Sequence, residues 1–115
     1  MTEMKNFLLG FPYNLGDDCS EKHFQSIIYA TLYAIGMNVN AEIAVAQGRL
    51  DMSVCFPQSI FIFEFKLDKS AQEALDQINE KNYAAAFATD QRKIIKIGAN
   101  FSTQTRTLTE WVVEQ

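Results

Sequence analysis

Seven consecutive residues, Ile60-Phe61-Ile62-Phe63-Glu64-Phe65-Lys66, leave this chain few choices. Side chains alternate along a strand, so Phe61, Phe63 and Phe65 share one side, and Ile60, Ile62, Glu64 and Lys66 share the other. A strand this apolar is a buried strand. Glu64 and Lys66 nevertheless project from it side by side, ~7 Å apart. Burying charge is costly unless the charge is paired, bound to metal or left near solvent. The strand therefore either finishes at the edge of the protein or leads into a site.

The surrounding sequence supplies a sheet for this strand. Val39, Ala41, Ile43 and Val45 alternate with Asn40, Glu42, Ala44 and Ala46, and Gln47-Gly48-Arg49 makes a tight connection. In the next strand Leu50, Met52, Val54 and Phe56 are expected to face one way, and Asp51, Ser53 and Cys55 the other. Pro57-Gln58-Ser59 then turns the chain.

Helices bracket the three strands. Before them, Ser20 can cap a helix whose apolar positions are Phe24, Ile27, Ile28, Thr31, Leu32 and Ile35, with Gly36 at its left-handed stop. After them, Ser70-Ala71-Gln72-Glu73 reads as a capping box, with Ala74, Leu75 and Ile78 as a buried stripe. Asn79 to Asn82 marks a break, and Tyr83 to Phe87 a further helical turn. Ile94, Ile95 and Ile97 form a fourth strand. A loop is expected over Asn100 to Gln104, then a last strand from Thr107 to Val113. The order α, β, β, β, α, β, β gives an α/β fold. The helix between strands three and four is long enough for a right-handed crossover, which makes the sheet mixed, with helices packed on it.

At 115 residues and 48% apolar, the chain fits one domain with one core. No apolar run approaches a membrane span, and the N-terminus lacks a signal-peptide cleavage site. Residues 1–18 read as an N-terminal strap or linker, and 19–115 as the domain. Cys19 and Cys55 read as free thiols of a cytoplasmic protein, and with one His they make a structural zinc site a poor fit. The net charge of −4 argues against a general nucleic-acid-binding surface. The only small basic group, Arg92, Lys93 and Lys96, reads as a solvated strand edge.

If strands two and three pair, Asp51 reaches the same patch as Glu64. Two carboxylates, the backbone carbonyl of Phe65 and the Lys66 ammonium then form one constellation. Oxygen ligands of this kind suit Mg²⁺ or Mn²⁺. Such a metal lowers the pKa of water and screens charge on phosphate oxygens, while a Lys can hold the attacking water. The chemistry is phosphodiester hydrolysis.

On these residues the chain resembles a family. Gly48-Arg49-Leu50-Asp51 followed by Ile62-Phe63-Glu64-Phe65-Lys66 is similar to the core signature of the PD-(D/E)xK nuclease superfamily. The opening of the first helix (Glu21 to Gln25), Glu42, the Ser70–Tyr83 segment and the Ile97–Trp111 tail resemble one branch. That branch is the small domain found at the C-terminus of bacterial AAA-ATPase-like proteins. One departure is Leu50, which stands where the superfamily name implies Pro. The resemblance implies a restriction-endonuclease-like αβββαβ core, a mixed central sheet flanked by helices.

It also implies roles. Asp51 and Glu64 would ligate the metal, with Phe65 lending its carbonyl, and Lys66 would serve the water and the transition state. Glu21 would add an acidic group from the first helix, and Gln77 a polar group from the second. The implied substrate is nucleic acid, DNA ahead of RNA, and the implied partner an AAA-ATPase-like domain or protein. The alternative is a catalytically silent nuclease-fold module that binds or regulates. Outside the site, Glu42 is expected to hydrogen-bond the Gly48-Arg49 turn, Arg49 to pair with a carboxylate, and Tyr83 and Trp111 to be core aromatics.

Overall fold

A computed structural model of the chain describes residues 21–45, 48–105 and 107–115. The side chains of Glu21, Ala44 and Val45 are outside that description. The strap expected over residues 1–18, the Ser20 cap and Cys19 also lie outside the described residues. The elements run α1 (Glu21–Ala34), β1 (Asn38–Val45), β2 (Gly48–Cys55), β3 (Ser59–Leu67), α2 (Ala71–Glu80), a 3-10 turn (Tyr83–Phe87), β4 (Lys93–Ser102) and β5 (Thr107–Glu114).

The five strands form one sheet in the order β1-β2-β3-β4-β5. Only the β3–β4 pair is parallel, and its register runs from Ser59↔Lys93 to Leu67↔Phe101. α2 supplies the crossover between them, as a parallel connection requires. The fold is therefore the α/β, mixed-sheet architecture expected of a restriction-endonuclease-like core.

Among the described residues each face of the sheet carries one helix. On one, Phe24, Ile28 and Leu32 of α1 pack on Met52, Val54, Phe61, Phe63, Phe65, Ile97 and Phe101. Phe24 and Phe101 stack with centroids 4.6 Å apart. α1 ends where Gly36 takes φ 91°, with Gly36 N–H donating to the Tyr33 carbonyl and Met37 N–H to that of Leu32. These two bonds close a helix end that L-residues close only under strain. Ile35 is not part of the buried stripe. It falls after the last turn and is 58% exposed.

On the other face Leu75 and Ile78 of α2, with Tyr83, cover Leu50, Ile60 and Ile62. Ser70 and Glu73 form the reciprocal capping box that the sequence announces. Gly98 of β4 lies directly beneath α2. A Cβ there would stand 2.3 Å from the Ala71 carbonyl oxygen and 2.7 Å from the Leu75 nitrogen. The missing side chain is what lets the helix approach the sheet this closely.

Four expectations need correction. The loop placed at Asn100–Gln104 is strand as far as Ser102, because Asn100 is a bonded, buried residue and not a turn former here. Its Oδ1 accepts from Lys69 N–H at 3.0 Å, and its side chain and carbonyl both meet Thr109. Arg92, Lys93 and Lys96 do not guard an edge, since β4 is an inner strand. Arg92 pairs with Asp90 and Lys96 with Glu114, at 2.7 and 3.1 Å.

Third, the side-chain alternation of β1 and β2 does not hold throughout. Met52 and Val54 face α1, whereas Leu50 joins the α2-side core; likewise Val39 faces α1 and Ile43 packs on the other side. Both strands change face at one level, where Glu42 stands opposite Asp51 and takes the left-handed φ of 50°. Such a conformation costs a non-glycine residue ~1–2 kcal/mol. Fourth, among the described residues Glu42 makes no hydrogen bond to the Gly48-Arg49 turn, although the Arg49 charge acts on it. It reaches α1, where Lys22 lies 2.7 Å away and holds the carboxyl below its ordinary range through that hydrogen bond.

Candidate active site

The β2–β3 ladder is paired from Cys55↔Ile60 to Met52↔Phe63 and stops there. At the next level, backbone N–H groups of each strand bond to side chains of the other. Asp51 N–H donates to Oε1 of Glu64 at 3.4 Å, and Phe65 N–H donates to Oδ2 of Asp51 at 2.8 Å. The two carboxyl groups therefore meet in the opened end of the ladder. An extended residue turns its N–H and C=O to the same side, so the Phe65 carbonyl opens toward the same gap.

Glu64 is 3% exposed. Burial, and then the neighbouring Asp51 charge, push its pKa up to about 8. Backbone bonding from Asp51 and the Lys66 charge act the other way but do not win. A cation between the two groups would remove both penalties. The donors are hard oxygens of the kind a divalent cation takes. Among the described residues no group of three Asp, Glu, His or Cys side chains is arranged to hold a metal. The site thus offers Asp51, Glu64 and a carbonyl, and water would complete the shell. Glu21 begins α1, but its side chain is outside the described residues.

Lys66 and Glu64 share the α2 side of β3, and Gln77 ties them together. Its Oε1 accepts from Lys66 Nζ at 2.5 Å, and its Nε2 donates to Oε2 of Glu64. The same Nε2 lies 3.3 Å from the Tyr83 hydroxyl. Tyr83 is buried as expected of a core aromatic, yet its polar end belongs to the site. Burial raises its pKa, and the Glu64 and Asp51 charges add to that. Trp111 is half-buried against Phe63. No ion pair of Arg49 occurs among the described residues.

Two site neighbours were missed from the sequence. Tyr83 gave only an apolar signal. Gln25 reads in sequence only as part of the first helix, but its side chain is buried and Nε2 donates to the Asp51 carbonyl at 3.1 Å. A Gln beside the buried Phe24 on an apolar helix face is the signal that could have found it. Beside the site an open groove of about 430 Å³ is lined by Lys66, Lys69, Gln77 and Lys81 together with the α2 carboxylates Glu73, Asp76 and Glu80. No helix of the described residues is long and apolar enough to cross a membrane.

Comparison with known proteins agrees with this geometry. An uncharacterised protein from the vnfD 5′ region of Azotobacter chroococcum mcd 1 is 34% identical over 96 residues, which is 82% of this chain. The chain spans only 19% of that relative's length. The profile of the PD-(D/E)XK nuclease superfamily matches residues 19–111. That match takes in every described element that bears on the paired acids, from α1 to β5, and the chain belongs to the PD-(D/E)XK nuclease superfamily.

Proposed function

We propose that this chain is a metal-dependent nuclease domain that hydrolyses phosphodiester bonds in nucleic acid, DNA ahead of RNA. The observation that carries the reading is the opened end of the β2–β3 ladder. There Asp51 and Glu64 share one space, and Lys66 stands next to them on β3. Members of the superfamily generally use divalent metals. Here Asp51, Glu64 and the Phe65 carbonyl would hold Mg²⁺ or Mn²⁺. When bound, the ion lowers the pKa of water in the site and screens negative charge on phosphate.

The protein's own groups do the rest. Lys66 Nζ, released from Gln77, donates to the attacking water or to a phosphoryl oxygen and so favours the charge that gathers in the transition state. The water oxygen bonds to phosphorus and gives up a proton to solvent, an ester P–O bond breaks, and the leaving oxygen takes a proton from solvent. Gln77 keeps the Lys66 ammonium and the Glu64 carboxylate at a set separation before substrate arrives. Glu21, at the start of α1, would add a further acidic group.

The domain would act within or beside an AAA-ATPase-like protein in a bacterial cytoplasm. In support, the matched segment makes up about a fifth of the Azotobacter relative, as a domain carried by a larger protein would. A second reading is a catalytically silent module of the same fold. It draws on charge: the chain is at −4, and Lys22, Arg92 and Lys96 are each taken up by a carboxylate. Mg²⁺ and Mn²⁺ titration against single- and double-stranded DNA and RNA, beside a Lys66→Ala control, separates the two. Cleavage that needs metal and Lys66 supports the nuclease. No cleavage by the longest natural form of the protein, with metal present, leaves the silent module.

A further inference from the structure

We propose that Gln25 is a positioning residue for the metal centre: its side chain holds the Asp51 peptide in the orientation that sets the Asp51 carboxylate beside Glu64 and against Phe65 N–H. The inference rests on the metal-site reading above and extends it to α1.

An amide buried without a partner is costly, so a buried Gln needs a bond. Gln25 sits next to Phe24, which is fully buried, and is itself 8% exposed. Its Nε2 donates to the carbonyl of Asp51, 26 residues on. That carbonyl belongs to the first β2 residue beyond the paired ladder. Bonding sides alternate along β2 from Phe56, which bonds Ser59 of β3, so in regular pairing the Asp51 carbonyl would face β1. Here the Asp51 N–H goes to the Glu64 carboxylate and the Asp51 C=O to Gln25.

Both backbone groups of Asp51 are thus held by side chains from different elements. The peptide plane that carries the Asp51 side chain is clamped from the α1 side of the sheet, opposite to α2 and Gln77. Without Gln25 the Asp51 peptide loses its tie to α1. A peptide free to turn back toward β1 carries the Asp51 side chain away from Phe65 N–H and its N–H away from Glu64.

The test is Gln25→Met, which keeps length and helix propensity but removes the donor. Partners that orient metal ligands typically contribute 10–100-fold to metal affinity or activity. Calorimetric Mn²⁺ binding to the 115-residue chain should weaken by roughly that factor per folded molecule. In cleavage assays kcat should fall while KM for nucleic acid stays. Asp51→Ala, run in parallel, marks complete loss of the site.

If Gln25→Met lowers the melting temperature but binds Mn²⁺ as wild type does, the proposal is overturned and the metal centre stands. Should wild type bind no Mn²⁺, the metal-site reading falls and takes the proposal with it. A wild-type measurement covers the case in which the variant does not fold. On Mg²⁺ addition the Gln25 side-chain amide signals in NMR should shift along the same saturation curve as the Phe65 backbone amide. A Gln25 signal that stays still while Phe65 moves overturns the proposal.

Discussion

The two ends of the β2–β3 hairpin do opposite things with the same backbone. From Cys55↔Ile60 to Met52↔Phe63 the strands are zipped, and their side chains fill both cores. Beyond Met52 the ladder gives way to side-chain bonds from Asp51, Glu64 and Gln25. The zipped end contributes stability through burial. The open end contributes little to it, because Glu64 is buried next to a like charge. One hairpin thus separates the work of holding the fold from the work of presenting oxygen ligands.

The contrast is broken most sharply at Lys66. Lys66→Ala removes a group from the open end only, so cleavage should fall by ~10²–10⁴-fold with circular dichroism and substrate affinity near wild type. A variant that instead unfolds would mean that the open end carries the fold after all. Phe63→Ala makes the complementary cut. Phe63 is fully buried in the zipped end, and its loss should cost ~3–5 kcal/mol in urea unfolding while metal affinity per folded molecule is kept. An equal drop in metal affinity would show that the two ends are not separable.

Gly98→Ala tests how α2 reaches the site. The new methyl would meet the backbone of Ala71 and Leu75, and neither can move without shifting the helix. Overpacking of this kind costs ~1–3 kcal/mol. Because Gly98 is registered with Glu64, the shift should also part Gln77 from Glu64 and lower kcat. Unchanged stability would sink the close-approach argument.

The last prediction uses pH. The folded pKa of Glu64 is raised from the ordinary 4.5 to about 8. Between those values the metal-free folded chain keeps a proton that the unfolded chain has lost. Stability is therefore lost as pH rises through that window, with a slope of at most ~1.4 kcal/mol per pH unit for one proton. Urea midpoints in chelator should decline across the window, and Glu64→Gln should flatten the decline. A flat wild-type profile would contradict the cost of burying Glu64, next to a like charge, assigned to the open end.

Much of this molecule is local in origin. The Ser70–Glu73 capping box, the Gly36 stop and the alternation of Phe61, Phe63 and Phe65 each depend on neighbours in sequence. Each is legible there, because a helix end or a strand face is decided within a few residues. The order of elements likewise leads to a mixed sheet, since a strand, a helix and a strand of these lengths cross over in one way. The meeting of Asp51 with Glu64 could be anticipated from two strands joined by a short turn.

Other features depend on residues far apart, and sequence spacing has no access to them. Asn100 reads as a loop residue until Lys69 and Thr109 are seen to use its amide. Glu42 reads as a turn partner until α1 brings Lys22 to it. The alternation rule fails at Asp51 because a left-handed residue on the neighbouring strand turns both strands over. Gln25 reads as one polar residue on a helix until Asp51, 26 positions away, needs a donor. By itself the sequence determined the elements, their order and the chemical types gathered on β2 and β3. Only the tertiary structure decided where the ladder opens, because an open ladder is stable only when side chains from other elements satisfy the backbone groups it leaves behind.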